Sequence, residues 1–594
     1  MQTLNNVHEQ FAEFFKAEKL KPFASLVLKK LGEGHICLDL KEILNGEIEF
    51  PSLYHSLSEM ENDLIKEPLV STSIDNKQPF VLFKSKLYLQ RYFVYETIIL
   101  KRIQVLINSE SVDFTYRIEL INKHREFIAS LFSSDDSREG LSADERIDWQ
   151  LVATILGLLN NFTIITGGPG TGKTTTVSKL LELLKRIDPN IRIGLAAPTG
   201  KAAMRLAESL QGDQPTTIHR MLKTIYGSIH FKHNQQNPLK YDIVIIDEAS
   251  MIDVALFAKL LDAIGPETRL ILLGDKDQLS SVEAGSLFRD LCQTQEKVNS
   301  LSSNKIDLIN SFIANNEAKL TDNFMSDKSA NPLSDHIIEL KRSRRFDSTK
   351  GIGKFSRAII SNNSVEIEDF LKSGYDEQIH IDTKYSPDIF REFVKSYEAY
   401  IQEDDIRSAL NKFNKIRVLC AVREGKFGLY HINTAIETLL NAEGLIDSQT
   451  EFYMNRPIII TKNYYDLGLF NGDIGILRPD SNNILMAWFE DSEKQLKAVL
   501  PQLIVESETV YAMTIHKSQG SEYDEVLIVL PDHEGTHILT RELLYTAVTR
   551  AKLKVIIQSS ENILLSTIDR TVKRASGIKD RFNDSIQNDL WACN

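Results

Sequence analysis

The chain has 594 residues, room for roughly three or four domains, and its 42% hydrophobic and 25% charged content is that of a folded globular protein. No apolar run is long enough to span a bilayer, and the polar, amphipathic segment Met1–Lys16 lacks the basic start and apolar core of a secretory signal. The net charge of −13 excludes a surface coated with nucleic acid but not a narrow basic cleft inside an acidic shell.

Residues 1–123 show mixed helical patterning and no catalytic motif. Phe11, Phe14 and Phe15 fall on one helical face. Tyr88, Tyr92, Phe93 and Tyr95 read either as exposed aromatics of the kind that anchor protein interfaces or as part of the domain's own core. This stretch is expected to be a mainly helical, partner-docking N-terminal domain. The Ser-, Asp- and Gly-rich segment Ser133–Arg146 reads as a linker, within residues 124–146. The four cysteines, Cys37, Cys292, Cys420 and Cys593, form no C-x-x-C pair, which fits inert thiols in a reducing cytoplasm rather than a zinc or redox site.

From Asn161 onward short apolar runs (Phe162–Thr166, Ile243–Ile246) alternate with helical patterns, the signature of a parallel α/β sheet. Residues 147–345 should form a first such domain. Tyr226–Lys240, with Phe231 near its centre, is polar and reads either as a surface loop or as a short hairpin. Gln293–Asp335 is polar and poor in strand signals, and an insertion or partly disordered loop is expected there. A second α/β pattern occupies 346–594, with a strand at Arg417–Val422. Inside it, residues 456–505 carry short strands with Asn-Gly and Pro-Asp turns, which predicts a small inserted SH3-like β-barrel.

The segment Gly167-Gly168-Pro169-Gly170-Thr171-Gly172-Lys173-Thr174-Thr175 fits the P-loop pattern, after an apolar strand and before a helical one, as the motif requires. Its backbone N–H groups suit the phosphates of ATP. Lys173 brings charge to the β- and γ-phosphates, and the Thr174 hydroxyl suits Mg²⁺. Val244-Ile-Ile-Asp247-Glu248 is a buried strand ending in two carboxylates. Asp247 is expected in the Mg²⁺ shell, and Glu248 is expected to polarise the attacking water. Gln278, in Gly274-Asp-Lys-Asp-Gln278, is either part of a polar turn or a sensor of the γ-phosphate.

Taken in order, these motifs resemble the helicase set of superfamily 1. They run from Asp148-Trp-Gln150, through Ala197-Pro198-Thr199-Gly-Lys201, Asp247–Ser250, Gly274–Gln278 and Leu340–Phe346, to Thr514-Ile-His516-Lys-Ser-Gln-Gly-Ser-Glu522 and Leu544-Tyr-Thr-Ala-Val-Thr-Arg550. The strings Asp247-Glu-Ala-Ser-Met251, Tyr465–Gly475, Leu419-Cys-Ala-Val-Arg423 and Gly34-His-Ile-Cys-Leu-Asp-Leu40 are similar to the RecD branch. The free-standing relatives carry N-terminal helix-hairpin-helix motifs that this chain lacks. The resemblance implies two RecA-like motor domains, with Gln150 at the adenine and Glu522 at the nucleotide. It also makes Arg345 and Arg550 partners of the transferred phosphate; taken alone, each reads as a surface ion pair. By the same resemblance Pro198, Thr199, Lys201, His219, Arg220, Thr514 and His516 contact DNA, although Thr or His at a helix start also serves as a cap. The resemblance further implies 5′-to-3′ movement on single-stranded DNA, action at duplex DNA ends in double-strand-break repair and recombination, and assembly with RecB and RecC, without a membrane and with the nuclease centre in another subunit. The alternatives are a solitary superfamily 1 DNA or RNA helicase and a DNA-binding scaffold with a vestigial ATPase. The complete set of nucleotide motifs speaks against the scaffold.

Overall fold

A computed structural model describes residues 7–587 apart from 52–53, 74–76, 133–141, 211–213, 282, 296, 314, 327–330, 375, 465, 492–493 and 534–537. Most of the expected linker, Tyr465 and Cys593 therefore lie outside the described residues.

Two parallel sheets carry the molecule. The first runs in the order Ile337–Glu339, Phe162–Thr166, Arg269–Gly274, Ile243–Ile246, Ile193–Ala197, Thr216–Thr217. Its central strands are buried along their whole length, which is why they read as continuous apolar runs rather than alternating ones. The register pairs Thr166 with both Gly274 and Glu339, so the segments that begin at Gly167, Asp275 and Leu340 leave the sheet side by side. Helix Trp149–Leu159, capped by Asp148, is buried on every side and packs beneath this sheet. The second sheet runs Ile379–Asp382, Ala551–Gln558, Tyr523–Val529, Ile416–Cys420, Ala512–Thr514, again all parallel. Leu279 of the first half sits in the core of the second, beside Phe346.

The insertion is a five-stranded antiparallel sheet, ordered Leu496–Val499, Leu485–Glu490, Ile474–Pro479, Pro457–Ile460, Ser507–Thr509, with its own small core around Ile458, Leu477 and Phe489. No ladder joins its two edge strands among the described residues, so the expected barrel is here a sheet.

The N-terminal region is mainly helical, as expected, and also contains a four-stranded sheet. Three further expectations are corrected. Tyr88 and Phe93 are fully buried against each other rather than exposed, and Tyr92 and Tyr95 are half-buried. The helix Gln90–Lys123 that carries three of the four shares one core with Phe257 and Leu261, which pack against the first parallel sheet. The helix with Phe11 ends at Glu13, which leaves Phe14 90% exposed while Phe11 and Phe15 pack edge to face. Gln293–Asp335 is largely ordered where it is described: helix Ser303–Asn310 buries Ile306 and Ile309 in the core, and Trp149 packs on Phe324. Its polar composition hid a thin apolar face. Phe231 packs against His219, and Tyr226–Lys240 forms an irregular loop with two isolated bridges, Thr224 to Phe231 and Asn234 to Asn237.

After the second sheet the chain turns back. Residues 570–577 run across to the N-terminal region, where the Ile36 N–H donates to the Ala575 carbonyl at 2.9 Å and the Ala575 N–H donates to His35 Nδ1 at 3.0 Å. Helix Ile578–Gln587 then sets Arg581 against Glu96 at 3.1 Å, both fully buried.

Candidate nucleotide and nucleic-acid site

The P-loop leaves the buried strand Phe162–Thr166 and enters helix Lys173–Ile187. Gly170 and Gly172 both take positive φ, and a side chain at Gly170 would collide with Arg345, one at Gly172 with Gln150. Lys173 Nζ donates to the Gly167 carbonyl at 2.5 Å and to that of Gly168 at 3.2 Å, so the ammonium lies over the loop. Gln150 Nε2 donates to the Thr171 carbonyl at 3.2 Å. Beside it a pocket is lined by Ile147, Asp148, Gln150, Thr171, Leu340 and Arg344. That is where the resemblance expects a base.

Asp247 follows the strand Ile243–Ile246 and accepts the Glu248 N–H at 2.8 Å, while Glu248 itself takes a left-handed backbone. Burial, then the neighbouring Glu248 charge, raise the Asp247 carboxyl to about 6, against the pull of Lys173 and Arg205. A raised carboxyl at Asp247 beside the Glu248 carboxyl suits a divalent cation carried in on phosphates. Asp275 is likewise raised to about 6, chiefly by burial. It accepts Gln278 Nε2 at 3.0 Å and the Tyr545 hydroxyl at 3.2 Å. The next residue, Leu279, donates its N–H to Thr546 Oγ1 at 2.8 Å and accepts Gln519 Nε2. The turn that holds Gln278 is thus bonded to two motifs of the second domain.

The two candidate arginines differ. Arg550 is buried and donates to the carbonyls of Thr546 at 3.1 Å and Ser521 at 3.2 Å, within the electrostatic reach of Glu248. Arg345 comes from the crossover between the domains, where the Arg344 N–H donates to the Gly170 carbonyl at 2.8 Å. Its Nη2 meets Glu522 Oε1 at 2.6 Å. Glu522 also pairs with Arg205 and lies 3.6 Å from Lys552. Burial would push the Glu522 carboxyl up, but Arg205 and Arg345 outweigh it and hold it at about 2. Sequence reading missed Arg205, Tyr545 and Asp275. The one available signal for Arg205 was its position four residues after Lys201, on the same helical face.

The expected DNA residues collect at one end of the sheets. Ala197 pairs with Thr217 in neighbouring strands, which brings Pro198–Lys201 beside His219 and Arg220. Thr199 Oγ1 caps helix Gly200–Ser209 by accepting the Ala202 N–H at 3.2 Å. Arg220 stacks over the Phe470 ring at 4.2 Å, and Lys201 is electrostatically close to Tyr523 and Asp473 across the cleft. Thr514 is buried at the end of its strand, where its hydroxyl accepts the Lys517 N–H at 3.3 Å. Burial, with Arg574 nearby, lowers His516 to about 4, so it is a neutral hydrogen-bonding group at pH 7.

The sequence matches three family models: an AAA domain over residues 150–284, a UvrD-like helicase C-terminal domain over 509–558, and the N-terminal domain of RecBCD enzyme subunit RecD over 1–88. It is 34% identical to the RecBCD enzyme subunit RecD of Haemophilus influenzae, covering 78% of this chain and 77% of that one. Against the RecD subunit of Mycolicibacterium smegmatis it is 32% identical over 94% of this chain and 92% of the relative. A crystal structure of Bacteroides Pif1 bound to ssDNA aligns with a TM-score of 0.39 at 16% identity, covering 70% of this chain and 93% of that chain. On the strength of these sequence relatives, of which it covers 77% and 92%, this chain belongs to the RecD family.

Proposed function

We propose that this chain is the ATP-dependent helicase subunit of a RecBCD-type enzyme, translocating 5′ to 3′ on single-stranded DNA from duplex ends in double-strand-break repair, with RecB and RecC as partners and the nuclease centre elsewhere. The observation that carries the reading is the convergence of Lys173, Asp247, Glu248 and Gln278 from one sheet with Glu522 and Arg550 from the other, with Arg345 at the crossover between them. A site divided between two domains converts hydrolysis into relative movement.

In this reading Lys173 holds the β- and γ-phosphates, and Gln150 borders the base. Thr174 and Asp247 hold Mg²⁺, which neutralises charge on the phosphate oxygens when bound. Glu248 takes a proton from the attacking water as its oxygen bonds to the γ-phosphorus and the bond to the β,γ-bridging oxygen breaks, leaving ADP and phosphate. Arg345 and Arg550 stabilise the charge that develops on the transferred group. Pro198, Thr199, Lys201, His219, Arg220, Thr514 and His516 form the strand-binding edge, mostly by contacts to phosphates. The buried free thiols Cys37, Cys292 and Cys420 suit a cytoplasmic protein, and among the described residues no helix is long and apolar enough to cross a membrane.

Residues 1–123 would dock the partners, 147–345 and 346–594 being the motor domains. With Tyr88 and Phe93 in the core, the docking face moves to the outer side of helix Gln90–Lys123, where Val105, Val112 and Tyr116 are exposed by 42%, 82% and 62% along one stripe. The experiment is unwinding of duplexes with a single 5′ or 3′ overhang by the chain with and without RecB and RecC. Unwinding from the 5′ overhang, enhanced by the partners, supports the reading. Equal activity without them would point to a solitary helicase, and preference for the 3′ overhang would overturn the polarity.

A further inference from the structure

Helix Gly200–Ser209 starts in the segment expected at DNA and carries Arg205 one turn beyond Lys201. The Arg205 side chain leaves its own domain. Its Nη1 donates to the Gly520 carbonyl at 2.9 Å, and its Nη2 pairs with the Glu522 carboxylate. The backbone of this helix also approaches that turn: a side chain added at Gly520 would lie 3.8 Å from the Ala202 methyl. Gly520–Glu522 continues directly from the motif that holds Thr514 and His516. Glu522 Oε1 is shared, since it takes Arg345 Nη2 at 2.6 Å as well. Asp247 and Glu248 act electrostatically on Arg205 from the other side. Arg345 Nη1 is buried and has no hydrogen-bond partner among the described residues.

We infer that Arg205 is a positioning residue that couples DNA binding to hydrolysis: it fixes the Gly520–Glu522 turn and, by sharing the Glu522 carboxylate, sets how firmly Arg345 is held away from the phosphates. This rests on the nucleotide-site reading above. The physical basis is competition for one carboxylate oxygen. A guanidinium fork can grip a carbonyl and a carboxylate together, which an ammonium cannot do as well. While Arg205 occupies Glu522, Arg345 has a divided partner and can be released. Without Arg205, Arg345 keeps Glu522 to itself. A strand that shifts helix Gly200–Ser209 moves Arg205 and so alters that balance.

The test is steady-state ATP hydrolysis by the full-length chain, with and without an oligo-dT single strand, for Arg205→Ala, Arg205→Lys, Glu522→Gln and the double variant Arg205→Ala/Glu522→Gln. Arg205→Ala should cut the stimulation by DNA about tenfold while KM for ATP moves much less, a coupling of ordinary allosteric size. Arg205→Lys should be intermediate. In the Arg205→Ala background Glu522→Gln should recover part of the lost stimulation, because the carboxylate that retains Arg345 is gone. Additive losses, or an unchanged ratio of stimulated to unstimulated hydrolysis in Arg205→Ala, would overturn the inference. Should Arg205→Ala fail to fold by thermal melting, Arg205→Lys alone and with Glu522→Gln gives the same cycle. Lys173→Gln run in parallel separates the two failures: if it abolishes hydrolysis while the Arg205 variants keep full stimulation, only the coupling role falls.

Discussion

The Tyr545 hydroxyl donates to Asp275 Oδ2 at 3.2 Å, the same oxygen that accepts Gln278 Nε2 at 3.0 Å, so a tyrosine of the second domain fixes the residue from which the first domain's glutamine hangs. Tyr545→Phe removes the hydroxyl and leaves a buried carboxylate with one donor fewer, a cost of about 1–3 kcal/mol in the closed cleft. Turnover should fall while the KM for ATP changes little. Equal losses in ATP binding and in turnover would show that the bond serves the fold and not the closed state.

Lys173→Gln should abolish ATP hydrolysis and unwinding by this motor with no loss of thermal stability. Among the described residues the ammonium hydrogen-bonds to the Gly167 and Gly168 carbonyls only, so its removal disturbs no core packing. Near wild-type hydrolysis in the purified variant would sink the P-loop assignment.

Arg550→Ala should lower turnover more than ATP affinity, since a guanidinium matters most where charge develops. Its hydrogen bonds to the Ser521 and Thr546 carbonyls also fix the local fold, so Arg550→Lys serves as the control that keeps the charge. Unchanged turnover with much weaker ATP binding would leave Arg550 a binding role only.

Asp247 gives a prediction in pH. Its folded-state carboxyl sits at about 6 against an ordinary 3.8, so the folded protein binds this proton more tightly than the unfolded chain does. Its ionised form therefore costs stability, in full above about pH 6, and the cost disappears as pH falls toward 3.8. Asp247→Asn keeps the acceptor for the Glu248 N–H and removes the charge. It should abolish hydrolysis yet raise Tm at pH 8 by about 2–4 °C, corresponding to about 1 kcal/mol. The gain should shrink toward pH 4. A lower Tm at pH 8 would contradict the strained-carboxylate account. Because kcat/KM reports the free enzyme, kcat/KM for ATP of the unmutated chain should decline as pH falls through about 6, where Asp247 takes up its proton.

The docking face predicts that Val112→Glu with Tyr116→Asp prevents co-purification with RecB and RecC while leaving DNA-stimulated hydrolysis by the isolated chain within about twofold, as for surface changes away from packed sites. Normal complex formation by this variant would move docking to the motor domains.

How far the sequence could be read depended on where its information lay. The placement of Gly167–Lys173 between a buried strand and a helix, and of Asp247 and Glu248 at the end of another buried strand, was legible because a glycine-rich run and paired acids stand out where apolar runs stop. The parallel sheets were legible because strands covered on both faces read as apolar runs. Tyr88, on the strand Lys86–Leu89, and Phe93, on the helix that follows, were misread because an aromatic has the same letter whether it faces water or the Glu96–Arg581 pair, and Arg581 lies at the far end of the chain. Arg205 carried no motif of its own, since its meaning comes from Glu522, on the other sheet. The order in Gln293–Asp335 hangs on a few apolar side chains, such as Ile306 and Leu320, in a polar background.

The returning C-terminal segment has a mechanical consequence. The polypeptide crosses between the two halves near Arg345 and again at residues 570–577, where it is fastened by His35, Ile36 and Glu96. Two bodies joined along two separate crossings cannot drift apart or slide freely. They keep one easy motion, a swing about the line through both attachments. In the proposed reading, that swing is the motion left for a nucleotide bound between them to drive.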